Sequence, residues 1–285
     1  MSEDSSSSLM VVLLETHSSM WIQADSQPAD QRHLSAAGLL EQAVGFLNAF
    51  LLLSDANQLA VFCIHASTSH LLHLSPGLLQ TRAKDKALMQ DTLGLEIIAR
   101  IQDIMQQPET DMGGRPALAG ALSRALCFIR GQWGGSAEEG QRLKALGRAP
   151  PRLLTIASSQ DAPQQYIPTM NAIFAAQKLG VVMDTCMAGP HESAYLQQAA
   201  HITGGQYLRP SKPGALLQYL LTLYLADTNT RKLLKYPPSP GIDFSASCFC
   251  HKNPIDMGFV CSVCLSIFCE NVKECSTCGT KFDLL

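Results

Sequence analysis

Leu9-Met10-Val11-Val12-Leu13-Leu14 is an unbroken run of six apolar residues, closed by Glu15-Thr16. A strand with one wet face alternates apolar and polar residues. A strand without alternation is covered on both faces, as in a parallel sheet flanked by helices. The segments outward from this run keep the pattern. Residues 59–64, 152–157 and 181–186 are further short apolar stretches, and 206–208 is a shorter one. Residues 69–74 read as a hairpin partner of 59–64, stopped by the Pro76-Gly77 turn. Between these stretches the apolar period becomes helical. Ser35 is placed to cap a helix to about residue 53, in which Leu39, Leu40, Ala43, Val44, Leu47 and Leu51 share a face. Further helices are expected over 82–107, from Pro116 to a stop at Gly131, and over 163–179, 192–203 and 213–226. Strands alternating with helices define an α/β domain with a doubly wound, mainly parallel sheet.

The chain has 285 residues, 46% hydrophobic and 16% charged, with a net charge of −3. That supports one large core and a small appendage. It gives no electrostatic claim on nucleic acid or an anionic membrane. The start, Ser2-Glu3-Asp4-Ser5-Ser6-Ser7-Ser8, is unlike the basic leader of a secretory signal. The richest apolar stretch, 39–53, is interrupted by Glu41, Gln42 and Asn48 and does not read as a membrane span. A soluble intracellular protein is expected, and in a reducing compartment clustered cysteines favour metal over disulfides. The expected organisation is a disordered acidic and serine tail over 1–8, the α/β domain over 9–226, a Pro-rich linker over 227–247 and a cysteine-rich module over 248–285. Pro237-Pro238-Ser239-Pro240-Gly241 marks the linker.

Seven of the ten cysteines lie in that last module. Cys261/Cys264 and Cys275/Cys278 are two Cys-x-x-Cys pairs, with ten residues between them. Thiolates are soft ligands, and the two-residue spacer lets both sulfurs of a pair reach one ion. Four such sulfurs make a closed tetrahedral zinc site, structural because no coordination position stays open. Cys248, Cys250 and Cys269 with His251 are candidates for a second zinc, interleaved with the first. The alternative for them is buried free thiols, because His251 is adjacent to Cys250. Lys252, Lys273 and Lys281 are balanced by Asp256, Glu270, Glu274 and Asp283, which suits a protein-binding surface rather than a phosphate grip.

Other candidates have blander readings. Cys63, Cys127 and Cys186 read as core packing. His65, His70 and His73 fall on alternating faces of one hairpin, which opposes a metal site. His17, His33, His191 and His201 show no partner pattern. The basic stretch Arg142, Lys144, Arg148 and Arg152, which follows Glu138-Glu139 and runs from the loop over 131–151 into the strand at 152, reads as solvated rather than as a phosphate contact. Gly113-Gly114 read as a turn. The sequence has no phosphate-binding Gly-x-x-x-x-Gly-Lys-Ser/Thr loop and no Gly-x-Ser-x-Gly elbow.

An apolar strand ending in Glu15-Thr16-His17-Ser18-Ser19 resembles the von Willebrand factor A domain. Metal-binding members of that family hold magnesium with Asp-x-Ser-x-Ser at this turn. Glutamate stands here for the aspartate and His17 for the first serine, and Arg115-Pro116 replaces the expected threonine region. No Mg2+ is expected at the Glu15–Ser19 turn. Asn171-Ala172-Ile173-Phe174-Ala175-Ala176-Gln177-Lys178, Ile202-Thr203-Gly204-Gly205-Gln206-Tyr207-Leu208 and the cysteine tail resemble the smaller von Willebrand A-like subunits of the general transcription factor TFIIH. That resemblance implies a nuclear, non-enzymatic core subunit in transcription initiation and nucleotide excision repair. It also implies pairing with the larger von Willebrand A-like TFIIH subunit and contact with other core subunits, without sequence-specific DNA binding and without a membrane. Against it stand a RING-like ubiquitin-ligase module and magnesium-dependent adhesion. A RING of that type needs eight ligands, usually with a central Cys-x-His-x-x-Cys, and only Cys269 lies between Cys264 and Cys275.

Overall fold

Strand β1 (Leu9–Glu15) runs through the middle of a six-stranded sheet in the order β3-β2-β1-β4-β5-β6. The structure is a computed structural model describing residues 8–16, 35–66, 68–78, 86–106, 116–133, 149–236, 246–248, 250–251, 254–255, 257–264 and 266–282. These belong to two compact units, divided between Pro240 and Gly241. In the first, β2 (Gln58–Ile64) and β4 (Arg152–Ala157) flank β1 in parallel. Strands β5 (Val182–Met187) and β6 (Tyr207–Leu208) continue the parallel run. Only β3 (Ser69–Leu74) is antiparallel, paired to β2 with a register shift at Val61/Phe62.

All seven residues of β1 are buried. Met10, Val12 and Leu14 enter one core with Leu59, Val61 and Cys63 of β2. Leu9, Val11 and Leu13 enter the other with Ala60, Phe62 and Ile64. Helices α1 (Ala36–Leu53), α2 (Lys86–Gln106) and α6 (Leu216–Leu223) close the first core through Phe46, Ile97 and Leu220. Helices α3 (Leu118–Trp133), α4 (Tyr166–Leu179) and α5 (Ala194–Thr203) close the second through Leu122, Ile173 and Ala199. Burying each apolar side chain of β1 contributes about 1.5–3 kcal/mol. A single helix cap contributes about 1 kcal/mol. The two-sided burial of β1 therefore outweighs the local signals that shape the helix ends.

Those signals are nonetheless present. The Ser35 side chain accepts from the Gly38 amide at 3.2 Å, and Ser193 accepts from Leu196 at 3.1 Å. Gly204 ends α5 at φ +74°, the left-handed conformation that suits glycine. The next glycine serves closeness instead. A Cβ on Gly205 would lie 1.9 Å from the Met183 carbonyl oxygen, so only a bare backbone passes β5 there.

Several expectations are corrected. Gly131 lies inside α3, which continues to Trp133. The cost of an interior glycine, about 1 kcal/mol, is offset where Ile129 and the preceding turn are packed. Cys127 is exposed, on the opposite face of α3 from Ala125, Leu126 and Ile129. Arg152 is not solvated. It opens β4 and is 2% exposed, with Nη1 donating to the Tyr224 and Ala226 carbonyls at 2.8 and 2.6 Å. Helix α6 is shorter than expected, following a 3-10 turn over Pro213–Ala215. The basic residues 142, 144 and 148, Gly113-Gly114 and residues 17–34 lie outside the described residues.

The chain after α6 returns to the sheet. Asp227 Oδ1 caps a turn by accepting from the Thr230 amide at 3.0 Å. Arg231 then reaches Asp184 of β5 with two hydrogen bonds, Nη1 to Oδ1 at 2.7 Å and Nη2 to Oδ2 at 2.6 Å. The sequence places the start of the linker at Asp227, yet residues 227–236 pack on the sheet domain, down to Tyr236 donating to the Leu223 carbonyl at 3.3 Å.

The second unit has two short hairpins, β7 (Ala246–Ser247) with β8 (Pro254–Ile255) and β9 (Phe259–Val260) with β10 (Ile267–Phe268). Its apolar centre is Phe268, with Val272 and Phe282 against it. That is too little to hold a fold without a staple.

Candidate metal centres

Two knuckles of the same design build the first cluster. In each, the first cysteine of a Cys-x-x-Cys pair donates its amide to the carbonyl five residues on, Cys261 to Ser266 at 2.9 Å and Cys275 to Thr280 at 2.8 Å. This turns the pair's second cysteine back beside the first. The hydroxyl two residues after each pair then meets the sulfur, Ser266 Oγ at 3.1 Å from Cys264 and Thr280 Oγ1 at 3.0 Å from Cys278. Sequence reasoning missed Ser266 and Thr280. The signal was available, because both pairs continue as Cys-x-x-Cys-x-Ser/Thr.

The structure brings Cys261, Cys264, Cys275 and Cys278 together, with all four sulfurs within 4.8 Å of one another. Cys261 and Cys278 lie 3.7 Å apart, and Cys264 and Cys275 lie 3.5 Å apart. A tetrahedron with zinc–sulfur bonds of about 2.3 Å places its sulfurs about 3.8 Å apart. A disulfide would need about 2.05 Å, and all ten cysteines are free. The donor set and spacing fit a zinc ion.

Cys248, Cys250, His251 and Cys269 form a second group on the same criterion. Cys250 Sγ is 3.3 Å and His251 Nδ1 is 3.1 Å from Cys269 Sγ. Adjacency of Cys250 and His251 does not prevent convergence, because both sit in one turn. Cys269 lies between Cys264 and Cys275 in sequence, so the two groups interleave. Each can coordinate a metal ion. Hydrogen bonds from Ser266 hold the Cys264 thiol down at about 6, while neighbouring Cys250 pushes Cys269 up to about 12. Metal binding at such sites releases protons.

In the sheet domain, the last residue of β1 is tied down by its own side chain. Glu15 is 2% exposed. Its Oε2 accepts from the Ser158 and Ser159 amides at 2.8 and 3.1 Å, and Ser159 Oγ donates to Oε1. The longer glutamate reaches across to the chain leaving β4, where its carboxylate is occupied by protein donors. His17, Ser18 and Ser19 lie outside the described residues. Next to this point Asp161 accepts from Ser193 Oγ at 2.5 Å and the Tyr195 amide at 3.2 Å, and burial raises its carboxyl above the usual range despite these bonds.

The hairpin histidines do not converge. His73 Nδ1 meets Glu96 Oε2 at 2.8 Å, while His70 Nε2 meets Thr68 Oγ1 at 2.8 Å. Among the described residues, the two groups in the C-terminal unit are the ones that could hold a metal. No helix among them is long and apolar enough to cross a membrane.

The strand order, the single antiparallel edge and helices on both faces define a von Willebrand A-like domain, followed here by a Cys/His module. The chain belongs to the Transcription factor Tfb4 family, whose model matches residues 7–279. The General transcription and DNA repair factor IIH subunit TFB4 of Arabidopsis thaliana is 37% identical over 286 residues, covering 96% of this chain and 89% of that one. The corresponding subunit of Schizosaccharomyces pombe is 36% identical, with the same coverage. The crystal structure of the TFIIH p34 N-terminal domain superposes with a TM-score of 0.60 at 27% identity, over 76% of this chain and 98% of that one. A von Willebrand factor type A protein from Catenulispora acidiphila, at 11% identity and a TM-score of 0.51, covers 75% of this chain and 41% of that one and shares the fold alone.

Proposed function

We propose that this chain is a non-catalytic structural subunit of the TFIIH core, acting in the nucleus in RNA polymerase II transcription initiation and nucleotide excision repair by binding the larger von Willebrand A-like subunit. The observation that carries this reading is the family match across 7–279, which spans both the sheet domain and the two cysteine groups. The chemistry agrees with it. Glu15 is consumed by protein donors, and the C-terminal groups are closed four-ligand sets, which suit a structural ion rather than a reacting one.

Within this role Cys261, Cys264, Cys275 and Cys278 hold one zinc ion. Cys248, Cys250, His251 and Cys269 hold a second. Zinc supplies cross-links that fix the module as a surface for protein partners, joined to the domain over 9–226 by the proline-rich segment. Co-expression with the larger subunit tests the reading: a stoichiometric complex that survives gel filtration is expected. A chain that stays monomeric beside that subunit under gentle conditions overturns it.

The eight converging donors favour one second reading, a RING-like ubiquitin ligase. The module's single histidine precedes both Cys-x-x-Cys pairs, and the central Cys-x-His-x-x-Cys is absent from the sequence. Discharge of ubiquitin from a charged conjugating enzyme would support this reading, and its absence would close it.

A further inference from the structure

The end of the sheet where β4 begins carries a cleft of about 410 Å3 that the proposed role leaves unused. Leu53 at the end of α1 and Leu234 in the returning segment line it, together with Arg152, Leu221 and Leu225. Their chain neighbours Leu52 and Leu233 are apolar and exposed as well. Leu52 and Leu53 are 73% and 59% exposed, and Leu233 and Leu234 are 88% and 46% exposed. Single exposed leucines are ordinary; two leucine pairs at one cleft form a patch, and patches mark interaction sites.

Charge selects among occupants. Lys232 and Lys235 are exposed and bracket Leu233-Leu234. Of the nearby carboxylates, Asp227 is occupied by the Thr230 amide at 3.0 Å and Asp55 has an interaction of its own. Leucines lining the cleft, with Arg152 in its wall and two exposed lysines beside Leu234, complement apolar side chains flanked by carboxylates. A second copy of this chain fits poorly, because a self-complementary contact would bring these lysines against themselves.

We infer that this cleft docks an acidic amphipathic segment of another subunit of the same assembly, its apolar side chains against Leu53 and Leu234 and its carboxylates against Lys232 and Lys235. The inference rests on the subunit role proposed above. The test places the photo-cross-linking residue benzoylphenylalanine at Leu53, and separately at Leu234, in the reconstituted core complex, with products read by mass spectrometry. The expected product joins this chain to a segment of another subunit in which Asp or Glu flanks apolar residues. Lys232→Glu with Lys235→Glu should lower its yield about tenfold, as loss of charge complementarity does. Failure of the complex to assemble would sink the subunit reading itself. Assembly without a cross-link overturns the docking. So does a cross-link to a second copy, to residues 237–245 of the same chain, to lipid, or to a segment without carboxylates.

Discussion

Arg231 grips Asp184 with two parallel hydrogen bonds although 46 residues separate them, and the side chains are 9% and 1% exposed. Burial pushes the guanidinium towards neutrality, but the Asp184 carboxylate beside it prevails and raises its affinity for the proton. Removing one partner strands a buried charge, a loss of about 3–5 kcal/mol. Arg231→Ala and Asp184→Leu should each destabilise the sheet domain by that order. The double variant should lose less than the sum by about 1–3 kcal/mol. Additive losses in urea unfolding would show that the pair is not coupled.

Glu15 fastens the end of β1 to the chain leaving β4. Glu15→Ala leaves the Ser158 and Ser159 amides without their acceptor, at about 1.5–3 kcal/mol for a bond to a charged group. Thermal unfolding should show that loss. Millimolar magnesium should not shift the melting temperature of the unaltered protein. A magnesium-dependent rise that disappears in Glu15→Ala would contradict the closed turn.

For the C-terminal unit, the two interleaved groups predict two zinc ions per chain. Cys261→Ser or Cys278→Ser should remove one and destabilise the module, because structural zinc binding is coupled to folding. Hydrogen exchange in β1, β2 and β4 should stay unchanged. Cys269→Ser should remove the other ion. Metal analysis of the three variants separates the sites, and full metal content in any of them would refute that assignment.

Asp161 gives a pH dependence of known sign. Burial raises its folded-state affinity for the proton above that of the unfolded chain, near 3.8. The folded state therefore binds the proton more tightly, and stability from this group falls as pH rises from 3.8 through the folded value. The stability of the unaltered protein relative to Asp161→Asn should decline over that window and level off above it. Comparing variants cancels the proton release of the cysteine groups. A difference independent of pH would rule the linkage out.

Glycines separate cleanly by surroundings. Gly205→Ala drives a methyl into the Met183 carbonyl, with an expected cost of about 1–3 kcal/mol or more. Gly214→Ala meets nothing within 4 Å and should be neutral or gain about 0.4–1 kcal/mol. Equal melting temperatures for the two variants would contradict the close passage at β5.

The sheet was legible because its signals are local. Residues 9–14 announce burial on two faces without reference to anything distant, and Ser35 caps a helix within its own turn. The cysteine spacing is equally local. What escaped was set by partners far along the chain. Asp184 sits in an apolar run as an isolated polar residue, and only the returning segment supplies its cation. Arg152 read as solvated because its acceptors, the carbonyls of Tyr224 and Ala226, carry no sequence signature. Cys127 was misjudged for another reason: apolar residues cover more than half of the turns around it, so its type could not tell which face of α3 it occupied. Convergence of His251 with Cys250 depended on a turn geometry that adjacency alone does not disclose.

The grip of Arg231 on β5 also decides how tension would travel. A pull on the chain beyond Tyr236 reaches Arg231 before it reaches α6. Through the two parallel bonds it is delivered to a strand hydrogen-bonded on both sides, β4 and β6. Strand pairs loaded along their length must break many bonds at once, whereas a terminal helix peels turn by turn. The A-like domain is thus anchored against mechanical unravelling from its C-terminal end.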